Sequence, residues 1–251
     1  MINSFLLALS MFSKIPTPKT DFDRVNMKYV LCFFPSVGLI IGFLQCLVYT
    51  IMRNAGFGNI FISAVITVLP ILVTGGIHMD GFMDTSDARH SYANAEKKLK
   101  ILSDPHIGAF SVISAAVYFV IYFGAMCQAG PEAVFITAKC FILSRALSGL
   151  GAVTFKCAKS SGLLFSFVSG ADAEFSKNVL MGVFAFVCLW LSLRDGFAGV
   201  ACVVSALMVF WYYKYFSYKE FGGITGDLAG YFLQLCELVM VVVAVVLSNF
   251  N

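Results

Sequence analysis

Apolar runs as long as a bilayer is thick recur along almost the whole chain, and this recurrence constrains the fold more than any single motif. A helix that crosses a membrane needs about 20 predominantly apolar residues. Seven such runs can be marked, at 31–52, 57–77, 107–127, 132–153, 178–194, 196–213 and 228–248. Only 12% of the 251 residues are charged and 59% are hydrophobic, against about 25% charged in soluble domains. The expected fold is an all-α polytopic membrane protein, with residues 1–251 as one integral-membrane domain. No segment shows the alternation of a membrane β-barrel. Between the fifth and sixth runs stands only Arg194-Asp195-Gly196, which predicts a helical hairpin.

The basic residues give the orientation, because Lys and Arg favour the cytoplasmic side. With the N-terminus in the cytoplasm, the inner segments carry Lys14, Lys19, Arg24 and Lys28, then Arg89, Lys97, Lys98 and Lys100. They also carry Lys156, Lys159, Lys177, Lys214 and Lys219. The outer segments carry Arg53 and Arg194 alone, while Lys139 and Arg145 lie within the fourth span. An odd number of spans puts the C-terminus outside. Nearly all polar material then falls in three inner loops, 78–106, 154–177 and 214–227, so the chain is expected to work on its cytoplasmic face. Scattered cations without interleaved aromatics argue against nucleic acid as a partner. The opening MINSFLLALSMFSKIPTP lacks a basic start and a cleavage site, so it predicts a retained interfacial or half-inserted helix stopped at Pro16 and Pro18. No CxxC pair occurs among the eight cysteines, and Cys within apolar runs behaves as a small hydrophobe.

The chemistry concentrates in GGIHMDGFMDTSDA, residues 75–88. On a helix, Asp80, Asp84 and Asp87 fall within an arc of roughly 60°. Three carboxylates on one stripe repel one another unless a cation sits among them. Mg²⁺ takes hard oxygen ligands and bridges to substrate phosphates, so the pattern points to a Mg²⁺ site handling a phosphate or pyrophosphate. A solvated acidic face is the plainer alternative. His78 is a candidate ligand, phosphate donor or proton carrier. A second GGI-x-x-D opens the last span, in FGGITGDLAG. There Gly222, Gly223, Thr225 and Gly226 are candidates to cradle a phosphate, with Asp227 adding a carboxylate; a turn with tight helix packing is the alternative. In LSDPHIGAF, Asp104 is a further candidate metal ligand and His106 a phosphate contact. Arg145 and Glu237 both lie about 12–14 Å deep, where ionisable groups need a partner or a wet cavity. They are expected to face one inner cavity, as an ion pair or as substrate contacts. Lys139, nearer the outer leaflet, would snorkel. Lys159 suits a polyanionic substrate.

Taken together these blocks resemble the cobalamin synthase family, the adenosylcobinamide-GDP ribazoletransferases of the bacterial membrane. The resemblance starts at MFSKIPTP and FFPSVGLIIG, is strongest in GGIHMDGFMDTSDA, continues through LSDPHIGAF and LSR, and ends at GGITGDLAGYFLQLCE. Departures stand at Pro105-His106, where the family often has Ser-Arg, at Lys159-Ser160, where it often has Arg-Pro nearby, and at Ala88, where a Gly often follows the third aspartate. The resemblance implies an enzyme of the bacterial inner membrane that joins adenosylcobinamide-GDP to α-ribazole or its 5′-phosphate. The products are adenosylcobalamin, or its 5′-phosphate, and GMP. It implies Mg²⁺ on Asp80, Asp84 and Asp87 with Asp227 and Asp104 assisting, and phosphate contacts from Arg145, Lys159 and His106. A homo-oligomer or other cobalamin-pathway enzymes are the protein partners in keeping with it. Two rivals remain at this point: a CDP-alcohol phosphotransferase, whose DG-x-x-A-R signature is out of register after Asp80-Gly81, and a cation or metabolite transporter.

Overall fold

The computed structural model describes residues 1–18 and 27–249; Lys19 and Arg24, counted above for orientation, lie outside them. The helices are α1 (Ile2–Phe12), α2 (Phe34–Asn54, entered by a 3₁₀ turn at Val30–Phe33), α3 (Asn59–Thr74), α4 (Ile77–His90) and α5 (Ala95–Ile101). They continue with α6 (Ala109–Gln128), α7 (Pro131–Thr154), α8 (Leu163–Gly170), α9 (Ala173–Phe221) and α10 (Gly226–Ser248). Among the described residues there is no strand, only one parallel backbone bridge between Cys157 and Ile224.

Helix starts follow local chemistry. Pro35 and Pro131 occupy the first turns of α2 and α7, where a missing N–H costs nothing. The side chains of Asn94, Asp172 and Thr225 cap α5, α9 and α10 by accepting from the backbone N–H three residues on.

By length and composition, five helices can cross a membrane, and α3 with α4 makes a sixth candidate that is bent by 93°. The 49-residue α9 is two helices in one. At Gly196 the backbone leaves the helical region (φ 52°, ψ −131°), and a Cβ on Gly199 would fall 2.1 Å from the Leu191 carbonyl oxygen. Eight residues along a straight helix would hold those two about 12 Å apart. The chain therefore reverses there, as the short Arg194-Asp195-Gly196 link predicts. With the two arms counted separately and the bent pair as one, the helices supply the seven expected crossings.

Most of the bent crossing is α3. Its 16 residues cover about 24 Å. Gly75 and Gly76, both at positive φ, then turn the chain by 93° into α4, which crosses the first turns of α10 at the polar end of the bundle. What reads in sequence as the loop 78–106 is thus largely helical, in α4 and α5. The 154–177 loop likewise contains α8, and the 214–227 loop shrinks to a turn because α9 continues to Phe221.

α7 is the central post, buried nearly all round and packed by α2, α9 and α10. Apolar side chains such as Phe43, Phe186, Leu193 and Trp211 remain exposed on the outer surface, as a lipid-facing wall requires. α1 is helical as expected but ends at Ser13, before the prolines, and it packs inward: Leu7, Ala8 and Leu9 are buried. With Met27, Val30, Leu31, Ala152 and Phe167 it forms a small core beside the main one.

Four charged groups are spent on holding the bundle. The Arg145 guanidinium is bonded to the Glu237 carboxylate, and Ser144 Oγ donates to the same oxygen at 3.1 Å. Both charged side chains are 98–99% shielded. They pair with each other, so of the two expected roles the structure realises the ion pair rather than the substrate contacts: burial at that depth is tolerated only with the opposite charge at hand. Lys139 does not snorkel either. Its Nζ lies 2.5 Å from both carboxylate oxygens of Asp195, at the hairpin turn within α9.

Candidate active site

The two GGI-x-x-D segments meet at the polar end of the bundle. Gly81 of α4 and Gly230 of α10 make the crossing close. A Cβ on Gly81 would stand 2.8 Å from Asp227 Cα, and one on Gly230 2.9 Å from the His78 carbonyl oxygen. Phe82 stacks on Tyr231 with centroids 5.2 Å apart, and Arg89 donates to the Tyr231 hydroxyl at 2.8 Å. Glu220 of α9 ties Lys98 of α5 at 2.7 Å. This crossing carries Asp80 and Asp84 from one helix up to Asp227 of the other.

Among the described residues, the Asp80 and Asp84 carboxylates have no hydrogen-bond or ion-pair partner. Asp84 is half-buried, and its pKa is pushed up to about 6, first by burial, then by the charges of Asp80, Asp227 and Asp87. Asp227 has a long 3.4 Å bond from Thr225 Oγ1 and feels the charge of Lys159. Lys159 Nζ is itself held by the Leu99 carbonyl at 3.0 Å and Ser103 Oγ at 2.8 Å. The loop bearing it is fastened beside Asp227 by backbone bonds of 2.8 Å, from Ala158 N to Ile224 O and from Ile224 N to Lys156 O.

His78 lies next to this set and is buried. Its Nε2 has no partner, and burial, then the Arg145 charge, holds its pKa down at about 3. The imidazole is neutral at ordinary pH, which leaves it a hydrogen-bonding group and a weak base.

Other sequence candidates serve the scaffold. Asp87 accepts from Gly108 N at 2.7 Å and Ser111 N at 2.9 Å, so both its oxygens cap the start of α6. It contributes charge to the cluster while its lone pairs hold that helix. Asp104 accepts from the backbone N–H of His106 at 3.0 Å and lies 2.6 Å from its Nδ1. The two form an exposed local turn and touch none of the other carboxylates. Gly222 ends α9 at φ 76°. A Cβ on Gly223 would meet the Lys156 oxygen at 2.5 Å, so this glycine allows the loop pairing. Thr225 caps α10. In Gly222, Gly223 and Thr225 the structure therefore realises the turn-and-packing alternative rather than an open phosphate cradle.

Asp80 and Asp227 line a cavity of about 210 Å³ together with His78, Ser148, and apolar side chains of α1, α2 and α8. Phe12, Phe34, Leu164 and Phe167 are among the lining residues that sequence reasoning passed over. They carry no chemical signature, and only the docking of α1 and α8 brings them here.

The donor set suits a divalent cation in its chemistry. It offers hard oxygens only, two carboxylates without partners, and mutual repulsion that a cation would relieve. Among the described residues no three His, Cys, Asp or Glu side chains already converge as a metal cage.

The sequence of the family described as Cobalamin-5-phosphate synthase matches residues 4–245. The chain is 42% identical to the adenosylcobinamide-GDP ribazoletransferase of Lachnoclostridium phytofermentans over 248 residues, covering 99% of this chain and 95% of the relative. It is 33% identical over 241 residues to the protein of that name from Clostridium botulinum, covering 95% of each. For the Geobacillus kaustophilus protein of that name the figure is 29% over 247 residues, with 95% and 93% covered. No solved structure matches. The matches favour neither the CDP-alcohol phosphotransferase nor the transporter.

Proposed function

The chain belongs to the cobalamin-5-phosphate synthase family, and from that premise we propose that it is an adenosylcobinamide-GDP ribazoletransferase. The observation that carries this reading is the gathering of Asp80, Asp84 and Asp227, of which Asp80 and Asp84 have no partner among the described residues and Asp80 and Asp227 line a cavity open to small molecules. Carboxylates left without partners at a bundle end cost stability, and a site for a cation and a polyphosphate accounts for them.

In this reading a ribose hydroxyl of α-ribazole, or of its 5′-phosphate, attacks the phosphorus attached to cobinamide. The pyrophosphate bond breaks, and GMP leaves with the bridging oxygen. Asp80, Asp84 and Asp227 would hold Mg²⁺, which neutralises phosphate charge and favours in-line displacement when bound. The hydroxyl proton passes to a carboxylate of this set or to His78. Lys159, fastened beside Asp227, offsets charge on the leaving nucleotide. Arg145 and Glu237 act at a distance by holding α7 to α10 beneath the site.

The cationic segments bearing Lys14, Lys28, Lys97, Lys98, Lys156 and Lys159 would place this polar end on the cytoplasmic side of the bacterial inner membrane.

The test is GMP release by protein purified in detergent, supplied with adenosylcobinamide-GDP and α-ribazole, with Mg²⁺ or with chelator. Release should require both ribazole and Mg²⁺ and fall at least about 100-fold in Asp84→Ala. A well-folded wild type that releases no GMP would overturn the assignment.

A further inference from the structure

The cavity beside the carboxylates has a second character that the acidic set does not explain. Apart from His78, Asp80, Ser148 and Asp227 its lining is apolar or glycine. Phe12, Phe34 and Phe167 stand in ring contact, with centroids 4.4 Å apart for Phe12–Phe34 and 5.6 Å for Phe12–Phe167. Phe34 then meets the His78 ring edge-on at 5.8 Å. An aromatic run thus leads from the small core of α1 and α8 to the edge of the acidic set. His78, 6% exposed, brings there a ring nitrogen, Nε2, that has no partner. A buried polar atom without a bond costs about 1–3 kcal/mol, which a ligand's hydrogen bond would remove.

Size narrows the occupant. The cavity's roughly 210 Å³ is below the about 300–1,000 Å³ typical of drug-sized ligands. It has room for one two-ring heterocycle and none for a corrin. Polarity narrows it again. The edge of guanine carries several N–H and C=O groups that these apolar walls would leave unpaired, a penalty that discriminates strongly. A benzimidazole is apolar along its carbocyclic edge and has one free ring nitrogen.

We propose that this pocket, walled by Phe12, Phe34, Leu164 and Phe167 with His78 as its polar contact, seats the flat base of the acceptor nucleoside. The proposal rests on the ribazoletransferase reading above and adds to it the subsite for the base. Seating the base here places the attached ribose toward Asp80 and Asp227, where its hydroxyl must react. It also gives α1 a role: it supplies one wall of an acceptor site.

Leu164 is only partly buried, so Leu164→Gln polarises the wall with little cost to packing. Full-length protein in detergent is titrated with α-ribazole, followed by the intrinsic fluorescence of the benzimidazole, and GMP release is measured in parallel. Leu164→Gln should weaken α-ribazole binding and raise its KM by about tenfold or more, while KM for adenosylcobinamide-GDP stays within about twofold. On the wild type, the same riboside carrying adenine should bind at least about tenfold more weakly; this arm needs no variant and stands even if Leu164→Gln fails to fold. Equal shifts for both substrates, a shift for adenosylcobinamide-GDP alone, or indifference to the base would overturn the pocket and leave the reaction standing. Leu164-sensitive α-ribazole binding without GMP release would support the pocket and overturn the reaction. Neither binding nor release would overturn both.

Discussion

Arg145 and Glu237, deep in the bundle, and Asp80, Asp84 and Asp227, at its polar end, are both charged groups in an oily chain, yet the fold treats them oppositely. The first two face each other, with Ser144 donating to the same carboxylate oxygen. The second set holds like charges together, and two of its members have no partner among the described residues. Where charge is answered inside the protein it holds helices in register. Where it is gathered and left unanswered, the cation and phosphate of the proposed reaction would supply the missing partner.

Breaking either side of this comparison should give distinct results. The largest effect is expected from Glu237→Gln, which leaves the Arg145 charge buried and alone at a cost of about 3–5 kcal/mol. Thermal melting in detergent should show the loss, and changing both residues to Met should recover most of it; a single variant that melts like the wild type would refute the structural role. Next is Asp227→Asn. It should lower GMP release by about 100-fold, yet change stability by no more than about 1 kcal/mol, because the repulsion it relieves offsets the lost helix-terminal charge. A melting temperature that collapses along with activity would place Asp227 with the scaffold. The smallest is Asp87→Ala, which removes the cap on α6 and should cost about 1 kcal/mol with a milder loss of activity than Asp227→Asn. Equal loss of activity in the two, at unchanged stability, would return Asp87 to the metal set.

Much of the fold was legible in advance. A crossing helix must be apolar over a fixed length, so runs of that length betray themselves, and the reversal at Arg194-Asp195-Gly196 was visible because three residues leave room only for a turn. The bend between α3 and α4 was not, since Gly75-Gly76 marks a break without giving its angle. The acidic stripe was legible as chemistry, but the separate fates of its members were not. Asp87 differs from Asp84 only through Gly108 and Ser111, 21 and 24 residues on. Likewise Arg145 and Glu237, 92 residues apart, were recognisable as needing partners before anything showed that they are each other's.

By itself the amino-acid order determined the class of molecule, the number of crossings, the polar end where chemistry gathers and the family, because these depend on local composition and on motifs read within a few residues. Which carboxylates stay free, which glycines permit contact rather than cradle a ligand, and which apolar side chains wall the cavity were decided only by tertiary structure. Those properties belong to pairs of surfaces brought together from distant parts of the chain. The crossing of α4 over α10, at Gly81 and Gly230, is where that assembly turns two short acidic motifs into one site.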